Sequence, residues 1–200
     1  GRFQTHNYLV YDDKTKRCVL IDTGEDPKPI LQALKENQLN LELILYTHAH
    51  IDHMAGCGVI QSTYPNVPLW VHKKELFWID LLKASASKYA MPEPEKPTIT
   101  GFIEHGQIFD VGTFKLESRF CPGHTPGGIS FYCPEAKLVF TGDSLFAGTI
   151  GRTDFPKGDH ATLIKSIQTQ LMTLPEETLV YSGHGPQTSI GIEKAHNPYL

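Results

Sequence analysis

No apolar run in the 200-residue sequence approaches the roughly 20 residues that a membrane-crossing helix needs. No basic-then-apolar leader opens it, and a membrane is not an expected partner. Basic residues are in slight deficit, 18 Lys and Arg against 22 Asp and Glu, for a formal charge of -4. Without a broad positive field, a nucleic-acid partner is not expected either. Cysteine is scarce: Cys18, Cys57, Cys121 and Cys133 are scattered with no CxxC spacing. That excludes a thiolate zinc knuckle, a redox dithiol pair and a disulfide scaffold, and it points to buried thiols in a reducing cytoplasm. Internal repeats and low-complexity tracts are also missing. The remainder, 40% hydrophobic and 20% charged, has the balance of an ordinary globular protein. Residues 1–200 are read as a single domain with a helical insertion or lid at about 75–100.

What the sequence has in excess is histidine, ten in all. Their placement follows from the order of elements. Asn7–Tyr11 and Arg17–Ile21 read as a hairpin across a polar Asp12-Asp13-Lys14 turn. Pro27 to about Asn37 reads as a helix with Asp26 as its cap, and Leu43–Tyr46 as a strand buried on both faces. Leu69–His72 predicts a strand and Lys73–Tyr89 a helix, after which three prolines between Met91 and Pro97 forbid helix. Gln107–Phe109, Thr113–Phe120, Ile129–Cys133 and Lys137–Phe140 alternate as antiparallel strands. Asp159 caps a helix carrying Leu163, Ile164, Ile167 and Leu171; the strand Thr178–Tyr181 and a short helical tail follow. This order predicts a sheet-based core covered by helices.

Just after the buried strand comes Thr47-His48-Ala49-His50-Ile51-Asp52-His53, three imidazoles and a carboxylate within six residues. Packing needs no such cluster. In an extended segment His48 and His50 point the same way, and Asp52 and His53 follow at the turn into a helix. Pro122-Gly123-His124-Thr125, Thr141-Gly142-Asp143-Ser144 and Ser182-Gly183-His184-Gly185 each hold a His or Asp beside glycine next to a strand. Glycine permits the tight turns and close approaches a ligand holder needs, although each alone reads equally well as a plain turn. A donor set of imidazole and carboxylate without thiolate suits zinc, iron or manganese.

The set His48-Ala49-His50-Ile51-Asp52-His53, His124, Asp143 and His184, with Ile21-Asp22-Thr23-Gly24 before it, resembles the metallo-β-lactamase superfamily. The resemblance implies an α+β fold, an αββα sandwich of two mixed sheets with helices on the outer faces. It further implies that His48, His50 and His124 bind one metal, Asp52, His53 and His184 a second, and Asp143 bridges them. Asp52 and Asp143 are then the carboxylates expected to serve catalysis. The cofactors are two divalent metal ions, zinc first, with iron or manganese as alternatives. Two such ions roughly 3.5–4 Å apart would share a hydroxide and polarise a carbonyl.

Gly151-Arg152-Thr153-Asp154-Phe155-Pro156 resembles the branch containing glyoxalase II and the persulfide dioxygenases, in which the residue matching Arg152 helps hold a glutathione-type substrate. An arginine fork suits a carboxylate, though pairing of Arg152 with Asp154 is the plain alternative. With little sequence after His184, the chain looks like the short bacterial glyoxalase II-like proteins. The expected substrate is a small-molecule thioester, hydrolysed by a monomer or homodimer. The alternative is a dioxygenase with a single Fe(II) on His48, His124 and Asp143; a non-catalytic metal-binding protein and a nucleic-acid phosphodiesterase come behind. The aromatic residues of the 75–100 segment are expected either to set substrate choice or simply to pack.

Overall fold

The computed structural model describes residues Gly1–Leu200. The chain divides into two compact units, Gly1–Phe102 with Val111–Thr113 and Ile103–Asp110 with Phe114–Leu200. A five-stranded and a six-stranded mixed sheet with accompanying helices make this the expected α+β class.

In the first unit, β1 (Tyr8–Tyr11) and β2 (Arg17–Ile21) form the antiparallel hairpin, Tyr8 opposite Ile21. Helix α1 (Lys28–Glu36) buries Ile30 and Leu34. Pro27, not Asp26, takes the N-cap, and the Asp26 carboxylate accepts the Lys28 N–H at 3.2 Å. Strand β3 (Asn40–Leu45) lies parallel to β2. Ile44, Leu45 and Tyr46 are all fully buried. Burial of consecutive residues means both faces of β3 are covered at this end, each such side chain contributing about 1.5–3 kcal/mol over exposure. The chain continues through α2 (Ile51–Met54) and α3 (Cys57–Thr63) to β4 (Leu69–Val71), which is parallel to β3.

The helix expected over Lys73–Tyr89 is broken into a 3-10 turn at Lys73–Glu75, α4 (Leu76–Asp80) and α5 (Leu82–Lys88). The break falls at Leu81, with φ -95° and ψ 0°, where no glycine or proline marks it. The proline-rich stretch that follows is strapped to α3. Gln61 Nε2 donates to the Thr98 carbonyl at 2.9 Å, and the Thr98 N–H returns to Gln61 Oε1 at 3.0 Å. Strand β5 (Gly101–Phe102) closes this sheet in the order β1-β2-β3-β4-β5.

The second sheet uses β6 (Ile108–Val111), β7 (Phe114–Phe120), β8 (Ile129–Cys133) and β9 (Leu138–Gly142). A short hairpin of β10 (Leu145–Phe146) and β11 (Thr149–Ile150) is not paired into it, but buries Leu145 and Ile150 in the same core. Strands β12 (Leu179–Ser182) and β13 (Thr188–Ser189) complete the order β13-β12-β9-β8-β7-β6. Pairing is antiparallel through β7, β8 and β9, as the alternation predicts, and β12 joins β9 in parallel. Helix α6 (His160–Ser166) starts where the Asp159 carboxylate accepts the Thr162 N–H at 2.7 Å, and a π turn at Ile167–Leu171 extends it. Leu163, Ile167 and Leu171 pack with Tyr132, Val139 and Val180 of the sheet. Helix α7 (Ile190–His196) is the helical tail. No helix of the chain is long and apolar enough to cross a membrane.

Candidate metal centre

The first cluster forms because β3 ends at the sheet's carboxyl edge and the chain stays extended through His50, with φ -67° and ψ 153°, before α2 begins. His48 and His50 therefore project together, ring centroids 4.7 Å apart, and the His53 ring lies 4.1 Å from that of His48. His48, His50 and His53 are buried and Asp52 is partly so. Asp52 Oδ2 accepts the Thr5 hydroxyl at 3.2 Å and stands 3.6 Å from His53 Nε2.

One buried carboxylate, Asp22, organises this cluster. It sits past the end of β2 in the left-handed region (φ 57°), which Asp and Asn tolerate better than most residues. Its Oδ1 accepts the Thr47 N–H at 2.9 Å, and its Oδ2 accepts both the Thr47 hydroxyl at 2.7 Å and His53 Nδ1–H at 2.8 Å. With its own proton donated to Asp22, the Thr47 oxygen is an acceptor for His48 Nδ1–H at 3.1 Å. The adjoining turn grips His53 by its backbone: its carbonyl accepts from Thr23 N, Gly24 N and Thr23 Oγ1 at 2.9, 3.0 and 3.2 Å. Gly24 can do this because its φ is 64°, and a side chain there would meet Asn7.

The second cluster owes its shape to the parallel pairing of β9 and β12. Ser182 is in register with Gly142, and Gly183 N–H donates to the Gly142 carbonyl at 2.8 Å. The loops carrying Asp143 and His184 therefore leave the sheet side by side. His184 Nε2 is 3.5 Å and His124 Nε2 is 3.6 Å from Asp143 Oδ2. The His124 loop is anchored on α6, since Asp159 N donates to the Gly123 carbonyl at 2.8 Å and Ser166 Oγ to that of Pro122 at 2.8 Å. His124 Nδ1–H donates to the Arg152 carbonyl at 2.7 Å. Gly151 is the residue that lets this strand of backbone in. A Cβ there would collide with the Asp143 carbonyl and lie 3.2 Å from His124 Nδ1.

Two features fit these donors to metal ions. In His48, His53 and His124 the protein takes up Nδ1–H, which fixes the tautomer and puts the lone pair on Nε2, the arrangement usual for ligating histidine. The carboxylate-to-Nε2 separations of 3.5–3.6 Å are too long for hydrogen bonds. They suit ligands of a common ion, because two atoms about 2.0–2.2 Å from one tetrahedral centre lie about 3.3–3.6 Å apart. His48, His50, Asp52 and His53 in one unit, and His124, Asp143 and His184 in the other, can each offer a ligand atom to a metal. The cysteines stay out, as expected. Burial pushes the Cys18, Cys57 and Cys121 thiols up to about 12, so they remain protonated at neutral pH.

Arg152 is placed differently. Its guanidinium makes paired 2.6 Å bonds to both carboxylate oxygens of Asp154 and stacks 4.3 Å over the Phe155 ring. The Arg152 hydrogen bonds hold the Asp154 carboxyl down at about 2. The positioning parts of the centre, Asp22, Thr47, Glu75 and Gly151, have no assigned role in a reading of ligand types. Asp22, Thr47 and Gly151 lie within the quoted motifs, whereas Glu75 left no local signal. Glu75 and Trp78, at the start of the 75–100 segment, pack against the His48–His50 loop: Glu75 Oε2 accepts the Ala49 N–H at 2.8 Å, and the Trp78 ring is 4.4 Å from that of His50.

Residues 1–184 match the family model described as the Metallo-beta-lactamase superfamily. The hydroxyacylglutathione hydrolase GloC of Haemophilus influenzae is 38% identical over 99% of this chain and 93% of its own length. Two solved structures superpose over the whole chain: the BLEG-1 B3 metallo-β-lactamase, at TM-score 0.91 and 38% identity over 96% of that chain, and TTHA1623 in a di-iron-bound form, at 0.90 and 34% over 97%. Sheets, ligand types and relatives agree, and the chain belongs to the metallo-β-lactamase superfamily.

Proposed function

We propose that the chain is a metal-dependent hydrolase of the glyoxalase II type, acting on S-lactoylglutathione or a related small-molecule thioester. His48, His50 and His124 would hold one divalent ion and Asp52, His53 and His184 another, with Asp143 as the shared ligand. Zinc is the first choice and iron or manganese the alternatives. The observation that carries this is the Nδ1 bonding of His48, His53 and His124, which spends protein hydrogen bonds on presenting Nε2. The likeness to GloC supports the substrate class.

When bound, such ions supply Lewis-acid polarisation of a carbonyl and acidification of water. The chain's own part is to fix the ligands. Asp22 and the Arg152 carbonyl hold protons on Nδ1 of His53 and His124, and Asp52 and Asp143 would supply the negative charge of the donor set. A thiolate leaves without a general acid, since an ordinary thiol pKa is only about 8.5. Arg152 is the proposed contact for a substrate carboxylate, which would exchange with Asp154 for the guanidinium fork. In this reading the enzyme works in a reducing cytoplasm, as monomer or homodimer, with neither nucleic acid nor membrane as partner.

The test is thioester hydrolysis by the purified chain loaded with zinc, manganese or iron in turn. Metal-dependent cleavage of S-lactoylglutathione that a chelator abolishes and metal restores is the expected result. No cleavage of any thioester by protein of known metal content overturns the proposal. Oxygen consumption with glutathione persulfide by a single-iron form would replace it with the dioxygenase reading.

A further inference from the structure

Glu75 is a carboxylate with no solvent exposure, on the 3-10 turn Lys73–Glu75, 26 residues beyond the loop it touches. Burying a carboxylate is costly unless strong hydrogen bonds offset the lost hydration. The turn itself is tightly made: His72 Nδ1 accepts the Lys74 N–H at 3.3 Å, and Glu75 N donates to the His72 carbonyl at 2.9 Å. Glu75 Oε2 then accepts the N–H of Ala49 at 2.8 Å. That N–H belongs to the peptide joining His48 to Ala49, and Ala49, which stands between His48 and His50 in the chain, is itself fully buried. Rotation of this peptide would swing both rings.

Three residues on, the same helical segment sets Trp78 against His50 edge to face, centroids 4.4 Å apart at 82°. One short segment thus fixes the peptide between two ligands and the ring of the second. We infer that Glu75, with Trp78, is a positioning residue for the metal loop, acting through the reach of its acceptor oxygen to Ala49. The inference rests on the reading of His48 and His50 as metal ligands. It assigns the start of the 75–100 segment to holding the centre.

Two substitutions separate reach from charge. Glu75→Gln keeps an amide oxygen at the same distance and loses the charge, and Glu75→Asp keeps the charge and withdraws the oxygen by one methylene. Zinc affinity is measured by chelator competition, alongside hydrogen exchange of the Ala49 amide in metal-free protein. The expected result is E75Q close to wild type, and E75D ten- to a hundred-fold weaker for zinc, the range for lost supporting bonds, with faster Ala49 exchange. The reverse order, E75D near wild type and E75Q weak, overturns the inference in favour of charge compensation. Equal affinity and equal exchange in all three proteins overturn it outright. If wild type binds none of zinc, manganese and iron, the ligand reading fails; Ala49 exchange in metal-free protein still reports whether Glu75 holds the peptide, and protection unchanged in E75D would refute that as well.

Discussion

Replacing Asp22 with Asn tests the tautomer argument at its root. Asn has the same shape and tolerates the φ of 57° at this position, so the backbone has little reason to move. The carboxylate receives three donors on two oxygens, Thr47 N–H, Thr47 O–H and His53 Nδ1–H. An amide can accept on one side only. With its NH2 where Oδ2 stands, it faces Thr47 Oγ1 and His53 Nδ1 as a donor. His53 can accept only by moving its proton to Nε2, which removes the lone pair a metal needs. With its NH2 turned the other way, it meets the Thr47 N–H donor to donor, leaving a buried polar group unsatisfied at about 1–3 kcal/mol. Loss of such a supporting partner lowers metal affinity about 10–100-fold, or about 1.4–2.7 kcal/mol. Chelator competition with zinc reads that shift, and thermal unfolding of the metal-free protein checks that D22N is folded. A folded D22N that binds zinc as tightly as wild type would refute the reasoning.

Other consequences are independent of Asp22. Gly151→Ala drives a Cβ into the Asp143 carbonyl and towards His124 Nδ1; a loss of about 1–3 kcal/mol is expected in denaturant titrations, with weakened metal binding. Arg152→Ala should raise KM for a thioester bearing a carboxylate and leave metal content unchanged, as measured by steady-state kinetics and elemental analysis. The Asp154 carboxyl, held at about 2 chiefly by the Arg152 hydrogen bond, is depressed from its ordinary 3.8. Its contribution to stability is complete above that ordinary value and is lost as pH falls through about 2. In R152A its NMR titration should move back up. The buried thiols Cys18, Cys57 and Cys121, raised to about 12 by burial, should resist a thiol reagent at pH 8 in the native protein and react after unfolding.

The candidate ligands were legible in the sequence because His48, His50, Asp52 and His53 crowd a strand end where packing needs none of them. Strands such as β3 were legible from an unbroken apolar run, and α6 from its Asp159 cap. What holds these side chains in place was not. Glu75 meets Ala49 only through tertiary folding, and nothing near Lys73-Lys74-Glu75 marks a carboxylate destined for burial. Two-residue strands such as β5 and β13 exist through pairing with neighbours and leave no local pattern. The split at Leu81 has no glycine or proline to announce it. Arg152 carries chemistry at both ends, its guanidinium on Asp154 and its carbonyl on His124; a residue-type argument sees only the first.

The measurement that bears most directly on the whole account is metal content per chain, by elemental analysis of protein purified without chelator or added metal, with D22N alongside. The account predicts close to two ions per chain in wild type and clearly fewer in D22N. Wild-type protein that takes up no divalent metal, even when zinc, manganese or iron is supplied, would contradict it.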